Sequence, residues 1–230
     1  MLAIITARHG SKGVPKKNIL KIGGLSLISW TIRHAKKSRE IGEIIISTDH
    51  IEIANIAQKE GCIVPFLRPE NLSTDFSDSA SVILHAINSY KSKFEDIILL
   101  QPTSPLRNHI DINNAVKIYK KNKTCYSVVS FEELNLPLEM IYQIDEQKKL
   151  INITNQKDLF RRQDVQKTFK PNGGIYIFNK KVFKEKKVFI NEDTVPYIMP
   201  TERSLDIDTW DDISYLKYLS DKNPDIVPKP

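Results

Sequence analysis

Apolar and polar positions along the chain alternate between two periods. Leu2–Ile5 is a short continuous apolar run, and residues 2–6 read as a strand. Residues 25–38 place Leu27, Ile28, Ile32 and Ala35 on one helical stripe. Glu43–Thr48 reads as a strand, Asp49–Glu60 as a helix stopped by Gly61, and Ile63–Leu67 as a short strand. Ser77–Tyr90 follows as a helix with Ser77 or Asp78 at its cap. Asp96–Leu100 is apolar after its first residue, as a strand at a sheet centre must be. A helix over 109–122 and a strand over 125–131 complete the regular part.

The alternation then stops. Residues 132–170 are polar and irregular, contain Pro137 and carry the run Arg161-Arg162-Gln163-Asp164. They read as an insertion of a few extended segments, a dimerisation arm. Strands resume at Gly173–Phe178 and Tyr197–Pro200, and a last helix runs from Thr209 to Ser220. The tail from Asn223 holds three prolines and reads as loosely held. Alternating strands and helices predict an α/β fold, a mostly parallel central sheet flanked by helices, in one domain spanning 1–230.

Composition adds a core and a charge asymmetry. With 230 residues, 40% of them hydrophobic, the chain has enough apolar material for one substantial domain. The net charge of +6 is local: residues 1–39 hold nine Lys/Arg and no acid, while the remaining 25 basic and 28 acidic residues sum to −3. A basic excess confined to one loop and the helix after it argues against nucleic acid as partner. No apolar run approaches membrane-spanning length, and the N-terminus lacks the charged and apolar regions of a leader. The two cysteines, Cys62 and Cys125, are far apart, so reduced thiols and a cytoplasmic location are expected. Cys62, between Gly61 and a strand, reads as a small core residue.

In an open α/β sheet, ligands bind beyond the carboxyl ends of the strands, so the residues following each strand matter most. After the first come Arg8, Gly10, Ser11, Lys12, Gly13, Lys17 and Asn18. Glycines let a backbone approach phosphate oxygens with its N–H groups free, and Arg and Lys neutralise the charge. The spacing is neither GxxxxGK[ST] nor GxGxxG. After the other strands come Ser47-Thr48-Asp49, Arg68-Pro69-Glu70 with Asp75–Ser81 beyond, and Gln101-Pro102-Thr103-Ser104-Pro105-Leu106-Arg107. Asp206-Ile207-Asp208 precedes the last helix, and in an extended stretch its two carboxylates share one side. Two carboxylates so placed suit Mg²⁺, which bridges to substrate phosphate. Each group has a plainer alternative: a solvated basic face, a rigid proline turn, a pair of helix-entry caps. The five histidines show no metal spacing and read as structural or surface. Tyr126 and the aromatics of 160–178 read as core or interface.

Together these segments resemble the acylneuraminate cytidylyltransferases, the enzymes that make CMP-sialic acid and relatives. The matching pieces are Ala7-Arg8-x-Gly10-Ser11-Lys12-Gly13 with Lys17-Asn18, Ser47-Thr48-Asp49, Phe66-Leu67-Arg68-Pro69, Leu99–Arg107, Arg161–Asp164, Asn172–Tyr176 and Ser204–Asp208. Seven motifs in family order cover residues 2 to about 215. His9 fills a variable slot, and Gly174 stands where relatives often have Ala.

The resemblance implies a nucleotide-diphospho-sugar-transferase fold of Rossmann-like type and the reaction CTP + nine-carbon 2-keto sugar acid → CMP-sugar + pyrophosphate. It implies that Arg8, Ser11, Lys12 and Lys17 hold the triphosphate and that Asn18 and Ser79 contact the ribose. Arg68 would read cytosine, Asp206 and Asp208 would carry Mg²⁺, and Gln101, Asn172 and Tyr176 would contact the sugar. Arg162 of the partner subunit would clamp the sugar carboxylate, making the enzyme a homodimer. Within the family, legionaminic and pseudaminic acids stand beside N-acetylneuraminic acid as substrates. The eight-carbon Kdo is disfavoured because Gln101–Pro105 contains no acid. From another class, a non-catalytic nucleotide- or nucleic-acid-binding module is the rival, and a metal-bearing Asp206/Asp208 pair separates the two.

Overall fold

The computed structural model describes residues 1–154 and 167–229. In chain order the strands and helices are β1 (Leu2–Ala7), β2 (Lys21–Ile22), β3 (Leu25–Ser26), α1 (Leu27–Lys37), β4 (Glu43–Thr48), α2 (Ile51–Lys59), α3 (Ser79–Ser89), β5 (Asp96–Leu100), α4 (His109–Lys121) and β6 (Ser127–Leu134). There follow β7 (Tyr142–Ile144), β8 (Leu150–Asn152), β9 (Thr168–Asn179), α5 (Lys180–Lys186), β10 (Thr194–Ile198) and α6 (Trp210–Lys222). Six strands form one sheet in the order β10-β6-β9-β5-β1-β4. β1 runs parallel to both β4 and β5, and β10 runs parallel to β6. β9 is antiparallel to β5 and β6.

The alternation of each strand sorts its side chains into two layers. Ala3, Ile5 and Ala7 of β1 face Ile28 and Ile32 of α1, Ile53 of α2 and Ile112 and Val116 of α4. Leu2 and Ile4 face the opposite layer, with Ile83 and Ala86 of α3 and Phe183 of α5. A third cluster lies under the basic loop, where Val14, Trp30 and Leu106 meet Ile207, Ile213 and Leu216. That cluster fastens the segment before α6 to the loop after β1.

The mixed direction of the sheet has a local cause. β6 leads into the insertion and β9 returns from it, so the two strands form the base of a long hairpin. Between them in the chain lies the small antiparallel ladder β7–β8. Where β6 and β9 enter the main sheet the register shifts: Val129 pairs Tyr176, but Phe131 pairs Pro171. The extra residues form a bulge in which Gly173 takes φ +73°. The insertion predicted at 132–170 thus begins inside β6 and ends inside β9.

Other expectations shift as well. Ile63–Leu67 is not a strand: only Ile63 and Leu67 make isolated bridges, to Ile45 and Thr48. Pro65 between them has no N–H to give to a ladder. The strand expected at Tyr197–Pro200 lies at Thr194–Ile198. The β2–β3 hairpin, turning through Gly23 and Gly24 at positive φ, and the short helix α5 stand where no element was expected. Cys62 is buried in the core, as expected. Among the described residues no helix is long and apolar enough to cross a membrane.

Candidate active site

The carboxyl ends of β1 and β5, the segment before α3 and the segment before α6 enclose one cleft of about 650 Å³. The basic loop supplies Arg8, Ser11, Lys12, Lys17 and Asn18 to its wall. Arg68 and Ser79 come from the opposite side, Gln101 and Thr103 from the loop after β5, and Asp206 and Asp208 from the approach to α6. Ten of the thirteen residues singled out in the sequence therefore line a single cleft.

The loop is held by its own chemistry. The Asn18 amide donates to the Arg8 carbonyl at 2.7 Å, closing the loop on itself. The backbone N–H of His9 donates to Asp49 at 2.9 Å, and the His9 ring stacks on that of His50. Of the two adjacent lysines, Lys16 is exposed at φ 56°, whereas Lys17 is buried. The Lys17 ammonium donates to the Ile207 carbonyl and lies 3.0 Å from Asp208 Oδ1. Gly13 packs so closely on the Asp208 carbonyl that any side chain there would overlap it.

The acidic segment is equally constrained. Ile207 is fully buried, while Asp206 and Asp208 on either side of it line the cleft. The Ile207 N–H donates to the Thr103 carbonyl at 2.8 Å. Thr209 caps α6, and Asp212 of its capping box accepts from the Asp208 and Thr209 N–H groups. The walls of the cleft desolvate the Asp206 carboxylate and raise its pKa, although it keeps contact with solvent. The Thr103 hydroxyl opposes that rise and the neighbouring Asp208 charge adds to it. The Lys17 ammonium favours the ionised form, but desolvation and the Asp208 charge outweigh it. Hard oxygen donors in that condition fit Mg²⁺.

Arg68 is buried, and its backbone N–H donates to Thr48 at 2.7 Å while Nε donates to Ser73. Burial lowers its pKa, Asp49 opposes this and Arg8 adds to it. Asp78, one residue before Ser79, caps α3 by accepting from the N–H groups of Ala80 and Ser81.

Two residues are placed otherwise than expected. Asn172 is buried outside the lining of the cleft: its Oδ1 accepts from the Ser130 hydroxyl and the Gly174 N–H, and its Nδ2 donates to the Ser204 hydroxyl. It braces the β9 bulge, whose Gly173 lies against Gln101. A Cβ on Gly173 would come within 2.9 Å of Gln101 Oε1. Tyr176, beside Leu99 in the sheet, packs on Phe189 and stands behind the cleft wall. Burial raises its hydroxyl pKa, and the Asp206 charge adds to that. Arg162 lies outside the described residues.

Asp75 and Thr103 also line the cleft. Both belong to polar segments flagged after strands in the sequence, but no role attached to them there. A further pair carries no sequence signal. Asp111, fully buried, accepts two hydrogen bonds from Arg203 at 2.9 Å each and one from Tyr197 at 2.8 Å. This clamp holds the chain three residues before Asp206.

A basic loop facing a metal-suited carboxylate pair at the ligand edge of an α/β sheet defines a nucleotidyltransferase. The chain belongs to the cytidylyltransferase family, whose model, described as "Cytidylyltransferase", matches residues 2–223. A CMP-N,N'-diacetyllegionaminic acid synthase of Legionella pneumophila is 37% identical over 227 residues, covering 97% of each chain. An N-acylneuraminate cytidylyltransferase of Escherichia coli is 36% identical over 90% of this chain, which spans only 49% of that protein's length. Among solved structures, a CMP:2-keto-3-deoxy-manno-octonic acid synthetase complexed with CTP superposes with TM-score 0.73 at 14% identity. That match covers 96% of this chain and 98% of the other, and at such identity it speaks to the fold alone.

Proposed function

We propose that the protein transfers the cytidylyl group of CTP to a nine-carbon 2-keto sugar acid, N-acetylneuraminic acid or a legionaminic or pseudaminic relative, releasing pyrophosphate. The carrying observation is the opposition of Arg8, Lys12 and Lys17 to Asp206 and Asp208 across one cleft. The relatives' names support the substrate class.

In this reading the anomeric hydroxyl oxygen forms a bond to the α-phosphorus, the bond from that phosphorus to the pyrophosphate oxygen breaks, and the hydroxyl proton leaves to solvent. Such transfer is largely positioning and charge stabilisation. Arg8 and Lys12 hold the outer phosphates. Lys17, fixed by the Ile207 carbonyl, meets charge developing on the leaving group. Ser11 and the loop N–H groups donate to phosphate oxygens. Asn18 and Ser79 orient the ribose, and Arg68 reads the base. Asp206 and Asp208 would hold Mg²⁺, which supplies charge neutralisation at the phosphates and a lowered pKa for a bound hydroxyl. Gln101, steadied by Gly173, orients the sugar, with Tyr176 supporting that wall from behind.

The insertion supplies a second copy of the chain as partner. Ile144 and Leu150 are 70% and 68% exposed, and Met140 and Tyr142 beside them are more than half exposed. A strip of that kind on the insertion suits burial against a partner, which would bring in its Arg162 for the sugar carboxylate. The reading places the enzyme, as a single domain, in the cytoplasm, where its two widely separated cysteines would stay reduced.

The test is pyrophosphate release from CTP and Mg²⁺ with N-acetylneuraminic, legionaminic, pseudaminic and Kdo acids in parallel. Release with a nine-carbon acid is expected. Release with none of them, or with Kdo alone, would reject the reading.

A further inference from the structure

We infer that Asp75 is a built-in counter-anion of the phosphate pocket, competing with triphosphate and pyrophosphate for Arg8 and Lys12 and so setting how tightly both are held. This rests on the cytidylyl-transfer reading and adds a determinant of affinity to it.

Asp75 Oδ1 lies 2.7 Å from Arg8 Nη2 and Oδ2 lies 3.4 Å from Lys12 Nζ. Its carboxylate thus engages two of the three cations the cleft offers to phosphate, and Asp208 engages the third, Lys17. Burial alone would raise the Asp75 carboxyl, but the Arg8 and Lys12 contacts outweigh it and hold the group below its ordinary value. Asp75 is an exposed residue whose carboxylate is held by these two ion pairs. The next residue, Phe76, is 92% exposed and touches the basic loop through the Lys12 ammonium above its ring. The segment is shaped locally, by the Thr74 N–H donating to the Ser77 hydroxyl at 2.9 Å and by Asp78 capping α3. Asp75 is therefore presented on a short turn and held by charge.

A carboxylate tethered beside two cations competes as an intramolecular ligand at high effective concentration. Every phosphate-bearing ligand must displace it, so its presence weakens their apparent affinity. The same competition acts after transfer, when Asp75 can reclaim Arg8 and Lys12 as pyrophosphate departs. A ligand without phosphate does not meet this competitor.

The experiment is calorimetric titration of CTP, pyrophosphate and cytidine into the full chain without divalent metal, for wild type, Asp75→Asn and Asp75→Ala. Both variants should keep the wild-type melting temperature within a few degrees, because Asp75 is an exposed residue on a turn outside the buried clusters. CTP and pyrophosphate should bind roughly two- to tenfold more tightly in both variants, the range that two part-exposed ion pairs span, with cytidine unchanged. Unchanged or weakened pyrophosphate binding would overturn the inference, because Asp75 would then be organising Arg8 and Lys12 rather than competing for them. A wild type that ignores CTP, yet gains pyrophosphate affinity when Asp75 is neutralised, would keep the inference and reject the cytidylyl reading.

Discussion

Lys17 and Asp208, 191 residues apart, form an ion pair of 3.0 Å on the floor of the cleft. Gly13 packs on the Asp208 carbonyl, and Val14 and Ile207 share one buried cluster beneath. The basic loop and the acidic segment are therefore tied together by an ion pair, a backbone contact and a shared buried cluster.

Removing the Lys17 charge tests that construction. Lys17→Met keeps most of the apolar stem and deletes the ammonium. A charge-assisted hydrogen bond contributes about 1.5–3 kcal/mol, so kcat/KM for pyrophosphate release should fall roughly ten- to a hundredfold. A wild-type rate constant would take Lys17 out of the reaction.

Asp206 should show the opposite signs in stability and activity. Its folded pKa lies above the unfolded one, so the folded state binds more protons and stability declines as pH rises through that interval. At neutral pH the ionised carboxylate is a net cost to the fold. Asp206→Asn should raise the melting temperature at pH 7 while abolishing most turnover. It should also weaken Mn²⁺ binding measured by electron paramagnetic resonance. A lower melting temperature with intact Mn²⁺ binding would contradict the role given to the pair.

How much of this was legible beforehand depends on sequence distance. Strands β1, β4 and β5 were visible because continuous apolar runs end in glycine, threonine or proline. The cleft residues were visible because the ligand edge of an α/β sheet collects the polar segments that follow its strands. The β9 bulge was not, since it arises from two residues of β6 pairing out of step with β9 across the insertion. Without it the bracing of Asn172 by Ser130, Gly174 and Ser204 could not be read. The Asp111–Arg203 clamp was hidden for the same reason: its partners are 92 residues apart, and Asp111 reads locally as an ordinary capping-box acid.

That clamp gives a stability prediction. Asp111 has no exposure and accepts from Arg203, Tyr197 and the Asn108 N–H. Breaking a buried pair by removing one partner typically costs about 3–5 kcal/mol. Arg203→Met should therefore lower the unfolding free energy by about that much, a little less because Arg203 is partly exposed, as read by urea denaturation. A loss under about 1 kcal/mol would show that Asp111 is satisfied by Tyr197 and its own helix cap.

His34 makes acid lability specific. Burial, with Arg107 adding to it, pushes the imidazole down to about 3 from an ordinary value of 6.5. The unfolded chain binds a proton below pH 6.5 that the folded chain refuses, so stability is intact above that pH and falls progressively towards pH 3. Between pH 7 and pH 5 this one group should remove about 2 kcal/mol. His34→Gln should flatten that slope in urea titrations at the two pH values, and an unchanged slope would assign acid lability to other groups.

The arm supplies the last prediction. Ile144 and Leu150 pair across the β7–β8 ladder and are both largely exposed, so polar replacements there cost the isolated chain little. In a dimer built on the arm the same positions would be buried, and an opposite-charge pair placed there, tolerated across the exposed ladder, would have to be desolvated on association. Ile144→Lys with Leu150→Glu should therefore shift sedimentation from twice the chain mass to the chain mass with the melting profile of the monomer retained. Because Arg162 of the partner subunit would be lost with it, KM for the sugar acid should rise while KM for CTP stays near its value. A wild type that sediments as a single chain, or a double variant that stays dimeric, would separate the arm from assembly.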